Sequence, residues 1–564
     1  MDGPDERTSS PLLGRASDVT SLQDSDLSTA SRSSRVHPAI HTSFEPDDPG
    51  DNEDRTGFKD IDDDLVQAEG EDQITAYIWI LVCCASISGL MFGVDTAIIS
   101  GTLVVIGDDL SNHLLSNREK EIITSATTVG ALVGGLASGT LSDFWGRKPI
   151  IGLANVVFIA GALLQTFAQT VTLMVTGRVV VGLGVGLASC IIPLYIGEMS
   201  PSRLRGKMVT INVLAITFGQ CVAYAIGAVF QHVNHGWRYM VSLSALPAVV
   251  QLACMAFLPE SPRILLKRGS PDEAYRVLAK IYSSATPQQI HAKADILRQS
   301  VKQSVRIMEE LTFRERLDSI FLVGANRRAL IVGAGLQALQ QLCGFNSLMY
   351  YSSTLFASLG FHNSTAVSSL VAIINLIFTL IALRIVDPFG RRRTMLWTLP
   401  GMVLSLFLAA FFFGKLTSNT HHHLELGHEY PRGWTSLTVG AMLCYVASYA
   451  LGLGCIPWAQ GELFRLEVRG IGTSLCTATN WACNLVISAT FLSLMDAITP
   501  SGAFSLYGVI CVVGYVFCYF CQPETAYLTM EQTFQLFTDD FGIQKWYQLR
   551  TPAVQSPDHG ASRV

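Results

Sequence analysis

From residue 74 onward the chain alternates apolar runs of roughly 20 residues with short polar breaks, and a helix of that length reaches across a hydrocarbon core about 30 Å thick. The runs at 76–100, 121–142, 150–169, 172–195, 208–230, 237–258, 328–353, 366–386, 394–414, 434–459, 470–495 and 503–521 are predicted to be twelve membrane-spanning helices. One polar interruption is long. Residues 259–327 separate six runs from six, and within them Ser270, Pro271 and Glu273 supply an N-cap, a proline at the first helical position and a capping-box carboxylate. With a further helical stretch at 292–305, this segment is expected to be a short helical bundle on the cytosolic side rather than a structureless linker. Residues 1–73 are rich in Ser, Asp and Glu and too poor in apolar residues to bury a core, so a disordered cytosolic tail is expected there. No signal peptide is read near Met1. Ser9, Ser10, Ser31, Ser33, Ser34 and Pro11-Leu12-Leu13 read as phosphorylation or sorting signals, or as an ordinary polar tail. Residues 522–564 form a second cytosolic tail.

The polar breaks repeat. Asp143, Gly146 and Arg147 between two runs are matched by Asp387, Gly390 and Arg391 between two others. Glu198 and Arg205 have the same spacing as Glu462 and Arg469, and Pro193 precedes the first Glu as Pro457 precedes the second. Pro259-Glu260 follows Glu198 at the distance at which Pro523-Glu524 follows Glu462. Three marks in register indicate a duplicated half: 74–258 and 328–521 are read as two copies of one six-helix unit.

Composition agrees with a chain whose solvent is lipid. Hydrophobic residues make up 49% of the 564 and charged residues 15%, with mean hydropathy +0.36, too apolar for a soluble chain of this size. The net charge of -6 comes mostly from the N-terminal tail and says nothing about a ligand. All thirteen cysteines fall in apolar runs, where they serve as small hydrophobes, so no disulfide is expected. Lys and Arg set the orientation: Arg147, Lys148, Arg203, Arg205, Lys207, Arg263, Lys267, Arg268, Arg391, Arg392, Arg393, Arg465 and Arg469 share one face, which is therefore cytosolic, with both termini inside. Asn363-Ser364-Thr365 on the other face is a glycosylation sequon. His421, His422 and His423 are adjacent on a loop and do not converge on one ion, so no metal and no cofactor is expected. No nucleophile–base arrangement stands out, so the chain is not read as an enzyme.

Taken together and in order, residues 139–149, 193–201, Gly206, 259–263, Gln340-Gln341, 387–393 and 523–525 resemble the sugar porter family of the major facilitator superfamily, over residues 74–535. Two stretches, Ile-Asn-Val-Leu-Ala-Ile-Thr at 211–217 and Gly-Ile-Gly-Thr-Ser-Leu-Cys-Thr-Ala-Thr-Asn-Trp at 470–481, are most similar to the myo-inositol transporters of fungi. The resemblance implies the major facilitator fold, two six-helix halves joined by the cytosolic linker, working by alternating access as a monomer. It also implies that the carrier takes a cyclitol or sugar together with a proton across a bilayer, with no nucleic acid involved. The membrane expected is the plasma membrane, with a vacuolar or other internal membrane as alternative.

An ionised Asp95 well inside the first run costs about 2.5 to 3.5 kcal/mol on insertion scales, so it should face a cavity and meet a partner. Arg178 in the fourth run is that partner, and similarity to proton-coupled sugar porters implies that protonation of Asp95 releases Arg178. The alternative is a static ion pair. A ring of hydroxyls that both donate and accept calls for amides and an aromatic platform. By resemblance these are Gln220, Gln340, Gln341, Asn346, Asn375, Trp458 and Asn480; each amide taken singly has helix-to-helix hydrogen bonding as its alternative. Tyr350 and Tyr351 either close the cavity from outside or sit in the interfacial belt. Val213, where hexose carriers place a Gln, and Asn480, where some have Gln, make a smaller and less polar site that favours a compact ring such as inositol. Asp143, Arg147, Glu198, Arg205, Asp387, Arg391, Glu462 and Arg469 are implied to form cytosolic salt bridges that join the halves when the carrier opens outward. Arg384 and Arg465 depart from the family pattern and are assigned only to snorkelling. A facilitative hexose uniporter and a non-transporting sugar receptor are the other readings.

Overall fold

In the computed structural model the chain divides into two units, Met1–Asp60 and Ile61–Val564. Residues 75–546 are described, apart from 202–203, 311, 425–427, 429, 466–467, 527 and 529, and the side chains of Arg205 and Asp387 also lie outside the described set. The N-terminal tail, with its serine clusters, lies wholly outside it. The second unit is helical throughout the described residues. Its first half runs α1 (Ala76–Val105), α2 (Asn117–Trp145), α3 (Arg147–Thr166), α4 (Val171–Met199), α5 (Arg205–Phe230), and a broken sixth span, α6 (Gly236–Leu243) and α7 (Leu246–Cys254). The interposed segment forms α8 (Pro262–Lys267), α9 (Pro271–Ile281), α10 (Pro287–Glu310) and α11 (Phe313–Leu322). The second half comprises α12 (Gly324–Leu342), α13 (Phe345–Ser358), α14 (Ser364–Phe389), α15 (Arg391–Leu416), α16 (Arg432–Leu451) with a short 3-10 helix Ile456–Glu462, and α17 (Arg469–Cys521); α18 (Met530–Leu536) follows.

Nine of these are long and apolar enough to cross a membrane as single helices. The other spans are hidden by breaks. Thr499 (φ 67°, ψ 159°) divides α17 into two spans, Gly344 (φ 88°) separates α12 from α13, and α6 and α7 are each too short alone. Twelve spans result, at the places the apolar runs indicated. The seventh, α12 with α13, leaves α11 at a bend of 84°.

Helices meet closely where glycine removes side chains, the means of packing available when lipid tails are as apolar as leucine. Gly130, Gly182 and Gly186 let α2 and α4 touch backbone to backbone; a Cβ at Gly182 would overlap the Thr127 carbonyl oxygen. Gly93 does the same for α1 against the Ile216 carbonyl of α5. The linker helices form as expected but are started differently. Ser270 caps α9 in position without a side-chain hydrogen bond, leaving Pro271 and the acidic Asp272 and Glu273 to favour the helix start. A completed capping box instead opens α11, between Thr312 and Glu315.

Several surface expectations are refined. Among the thirteen cysteines, all described, none is paired. The sequon is folded into the start of α14: Asn363 Oδ1 accepts from the Ala366 N–H at 3.0 Å, and Ser364 and Thr365 are buried. Tyr350 and Tyr351 are buried too, so neither belongs to an interfacial belt. On the loops opposite the basic face, Asp109 accepts from His235 Nδ1 and Trp237 Nε1, both at 2.7 Å; burial pushes its carboxyl up, but these donors outweigh it and hold the group below the usual carboxylate value. After the last span the chain folds back: Phe534, Leu536 and Phe537 are buried, Arg328 donates to the Phe537 carbonyl at 2.8 Å, and the Arg465 guanidinium lies 4.6 Å from the Phe534 ring centre. Arg465 is thus a cation–π partner rather than a snorkelling residue. Nothing in the structure explains Arg384.

The glycine contacts carry a test. Gly182→Ala forces α2 from α4 and is expected to lower the thermal unfolding midpoint of the purified protein, at an overpacking cost of about 1–3 kcal/mol. Gly152→Ala on α3, where an added Cβ meets nothing within 4 Å, is expected to leave the midpoint unchanged or raise it.

Candidate functional site

The repeated polar motif builds the same knot twice. Gly146 (φ 86°) and Gly390 (φ 96°) each end one helix and begin the next, so the next helix starts with unsatisfied N–H groups. Glu260 fills that need in the first half, accepting from the N–H of Arg147 at 3.0 Å, Lys148 at 3.3 Å and Ser261 at 2.9 Å. Glu524 does so in the second, accepting from Arg391 at 2.8 Å, Arg392 at 3.1 Å, and Thr525 and Ala526 at 3.1 Å. The side chain of Arg147 then pairs with Asp143 and Glu198, each at 3.0 Å, and that of Arg391 pairs with Glu462. Arg469 donates to the Phe464 carbonyl. Each of these ion pairs lies within one half; the side chains of Arg205 and Asp387 are outside the described set.

Asp95 and Arg178 meet in the interior of the first half. Arg178 Nη1 donates to Asp95 Oδ1 at 2.6 Å, and both side chains are nearly inaccessible. Arg178 Nε reaches the Ile123 carbonyl at 3.4 Å, while Nη2 has no partner among the described residues. A buried charge pair with one spare donor is a poised arrangement, because removing either charge strands the other.

The predicted amides fall into two groups. Gln340, Gln341, Asn346 and Asn480 form one hydrogen-bonded cluster in the second half: Asn346 Nδ2 donates to Gln341 Oε1 at 2.7 Å, Gln341 Nε2 to Asn480 Oδ1 at 3.1 Å, and Asn480 Nδ2 to Gln340 Oε1 at 3.0 Å. Gln220 and Asn375 form the other, joining α5 to α14 across the halves at 2.8 Å. Every one of these six is buried. Trp458 stands apart, half-buried on the 3-10 helix of the tenth span.

Three further polar residues, Gln337, Gln460 and Thr477, belong to the larger cluster, and Asn484 lies one helical turn beyond it. Gln337 accepts from Asn480 Nδ2 at 2.6 Å and donates to the Pro457 carbonyl and to Gln460 Oε1; Gln460 in turn donates to Thr477 Oγ1 at 3.0 Å. Asn484 Nδ2 donates to the Tyr350 hydroxyl at 3.1 Å. Helical spacing held the signal: Gln337 is one turn before Gln340-Gln341, and Asn484 one turn after Asn480. Gln460, two residues beyond Trp458, had none.

Described hydrogen bonds between the halves concentrate away from the basic face. Ser100 of α1 bonds to Ser353, Tyr224 of α5 donates to the Met349 carbonyl at 2.6 Å, and Asn117 donates to Asp496 at 2.8 Å. Buried Glu121 of α2 accepts from the N–H and hydroxyl of Ser493 on α17. Nearer the basic face the halves leave a partly open hollow between α1, α4, α5 and Trp458, about 290 Å3 with the solvent space it opens onto. A larger one, about 380 Å3, is bounded by the second half alone and so lies off the path between the halves. Among the described residues no cluster of His, Cys, Asp or Glu has the makings of a metal site.

Twelve spans in two matching halves, with buried polar groups facing the join, define a membrane carrier of the major facilitator fold. The sequence pattern of the family described as sugar (and other) transporters matches residues 81–537, and the chain belongs to that family. It is 58% identical over 491 residues to Myo-inositol transporter 1 of Cryptococcus neoformans, covering 87% of this chain and 86% of that one. Identity to Myo-inositol transporter 1 of Saccharomyces cerevisiae is 41% over 502 residues, covering 88% and 85%. Among solved structures, the proton:xylose symporter XylE bound to 6-bromo-6-deoxy-D-glucose superposes with TM-score 0.68 at 27% identity, over 82% of this chain and 99% of that one. The partially occluded inward-open form of XylE from E. coli gives 0.66 at 26%, over 80% and 99%.

The knots carry their own expectation. Arg147→Ala strands the largely buried Glu198 and is expected to cost about 3–5 kcal/mol of stability. Arg314→Ala, which removes an exposed pair with Asp318 at 4.0 Å, is expected to cost about 1 kcal/mol or less. Thermal unfolding of the two purified variants compares them directly.

Proposed function

We propose that the protein takes up myo-inositol, or a closely related polyol or hexose, together with a proton, by alternating access. The observation that carries the coupling is the buried contact of Asp95 with Arg178 in the first half. Asp95 takes the proton from the side opposite the basic face, the pair separates, and the neutral acid crosses the cycle without a naked charge. The driving force is adequate: about 2.3 kcal/mol per charge for each 100 mV, and about 1.4 for each pH unit. The identity of the substrate is supported by the names of the relatives and by the amide-rich interior. Gln220, Gln340, Gln341, Asn346, Asn375 and Asn480 bind ring hydroxyls, Trp458 offers an apolar face, and Gln337 and Gln460 orient them.

The two knots organise the cytosolic ends, and their loss slows turnover without altering substrate choice. The basic face is cytosolic, as are both termini and residues 259–327, and the carrier works as a monomer in the plasma membrane. Bonds between the halves on the outer side, with a hollow nearer the basic face, match a state closed to the outside.

Proteoliposomes given radiolabelled myo-inositol and an inward proton gradient test this reading. Accumulation above equilibrium that excess glucose barely inhibits is expected. Uptake that only equilibrates and is blocked by glucose would replace it with a hexose uniporter, and binding without uptake with a receptor. Asp95→Asn is expected to abolish accumulation while counterflow exchange persists; retained uphill uptake would remove Asp95 from the coupling.

A further inference from the structure

The hollow nearer the basic face is lined from the first half by Ser88, Gly89, Ser189 and Asn212, and from the second by Trp458. Two of its polar groups are already engaged. Ser88 Oγ donates to Gln251 Oε1 at 2.6 Å, and Gln251 is itself anchored on the Cys84 and Ala85 carbonyls. Ser189 Oγ donates to the Gly186 carbonyl at 2.9 Å and receives the Trp481 indole N–H at 3.3 Å. Asn212 is different. It is 8% exposed, and its Oδ1 is buried without a hydrogen-bond partner among the described residues. It sits where Gly89 leaves room: a Cβ at Gly89 would stand 2.5 Å from that oxygen. Buried amides ordinarily find partners, and one left unpaired just behind a cavity wall is available to a ligand once its side chain turns. Rotation about the last side-chain bond presents either the acceptor or the donor to the hollow.

We propose that Asn212 is a substrate-contacting residue, which binds a ring hydroxyl of a polyol lying against Trp458 and so gives the first half its own grip on the ligand in this hollow. Asn212 adjoins Val213, where the resemblance to hexose carriers had led to the loss of a polar group being expected. A shift of one residue turns the side chain about 100° around α5, so Asn212 supplies a hydrogen-bonding group on a different part of the helix surface from Val213. A hydroxyl serves whichever group is presented, accepting from Nδ2 or donating to Oδ1, whereas a carboxylate or cation satisfies only one of the two. The ligand class is therefore neutral and polyhydroxylated. This inference rests on the substrate reading above.

The test is a cycle between side chain and ligand, run by calorimetry on the purified full-length carrier with myo-inositol and its monodeoxy analogues. For the unaltered carrier at least one deoxy position is expected to bind about 5- to 10-fold more weakly, the worth of one net hydrogen bond. Asn212→Ala is expected to weaken myo-inositol by a similar factor and to bind that same analogue with no further loss. An unchanged affinity in Asn212→Ala, or an equal extra loss for every analogue, overturns the contact. If the alanine variant does not elute as folded carrier, the apolar, similarly shaped Asn212→Leu replaces it in the same cycle. An unaltered carrier that binds glucose and not myo-inositol defeats the inositol reading alone, and the deoxyglucose series then decides Asn212 by the same criterion.

Discussion

Each half of this carrier depends on a carboxylate that caps a helix behind a left-handed glycine. A helix beginning at a membrane face exposes backbone N–H groups and the positive end of its dipole. Glu260 and Glu524 reach back from the ends of their halves to satisfy those groups at Arg147 and Arg391. The space for them exists only because Gly146 and Gly390 lack a Cβ, which would fall within about 2.5 Å of the carboxylate oxygens. With the backbone held in this way, the arginine side chain is free to point at Glu198 or Glu462 on a third helix. One carboxylate thus fixes four chain segments at a point where neither lipid nor a long loop does so.

Inside the bundle a different constraint rules. Water does not compensate polar groups in the hydrocarbon region, so each must be paired by the protein or by cargo. Here the amides pair with one another: Asn346, Gln341, Asn480, Gln340, Gln337 and Gln460 form a connected chain of donors and acceptors. A hydroxylated ring exchanges such bonds for equivalent ones, so entry and release involve no large change in hydrogen bonding. The chain also reaches the Pro457 carbonyl in the broken tenth span, next to Trp458. A ligand that disturbs the amides therefore pulls on a segment with few helical hydrogen bonds of its own.

The spans, the two halves and the duplicated motif were legible in the sequence because each leaves a periodic or registered mark: 20-residue apolar runs, and Asp, Gly, Arg and Glu at repeated offsets. The Asp95–Arg178 contact was legible because a charge in a span is rare enough to demand a partner. Other features leave weaker marks. The break at Thr499 falls in the polar gap between the runs at 470–495 and 503–521 and was legible, whereas that at Gly344 sits inside the run at 328–353, so only the backbone reveals it. The capping bond expected at Ser270 is absent although its residues are in place, since a capping pattern specifies candidates and not the rotamer that closes the bond. Gln337 and Asn484 were one helical turn from residues already singled out. Gln460 and the contact of Arg465 with Phe534 depend on long-range docking, which no local pattern encodes.

The two halves began alike and have divided their chemistry. The first keeps the charge, Asp95 with Arg178, and the second keeps most of the amides. The proposed coupling needs these to communicate across the join, and the described contacts offer two routes. Gln220 and Asn375 link α5 to α14 at 2.8 Å, and Phe92, three residues before Asp95, packs against Trp481, the neighbour of Asn480, with ring centres 5.4 Å apart. Residues three apart on a helix share a face, so a shift of α1 when Asp95 changes charge moves Phe92 and presses on the helix that holds Asn480. In the proposed reading, the equilibrium that both sites would bias is the opening of the join, the two-state element that a coupled carrier requires. A ligand that grips only the second half would leave that equilibrium unbiased, because it would bind equally well whether the halves were together or apart. The proposed contacts on the first half would therefore give the cargo a preference between states, and through it a hold on the proton.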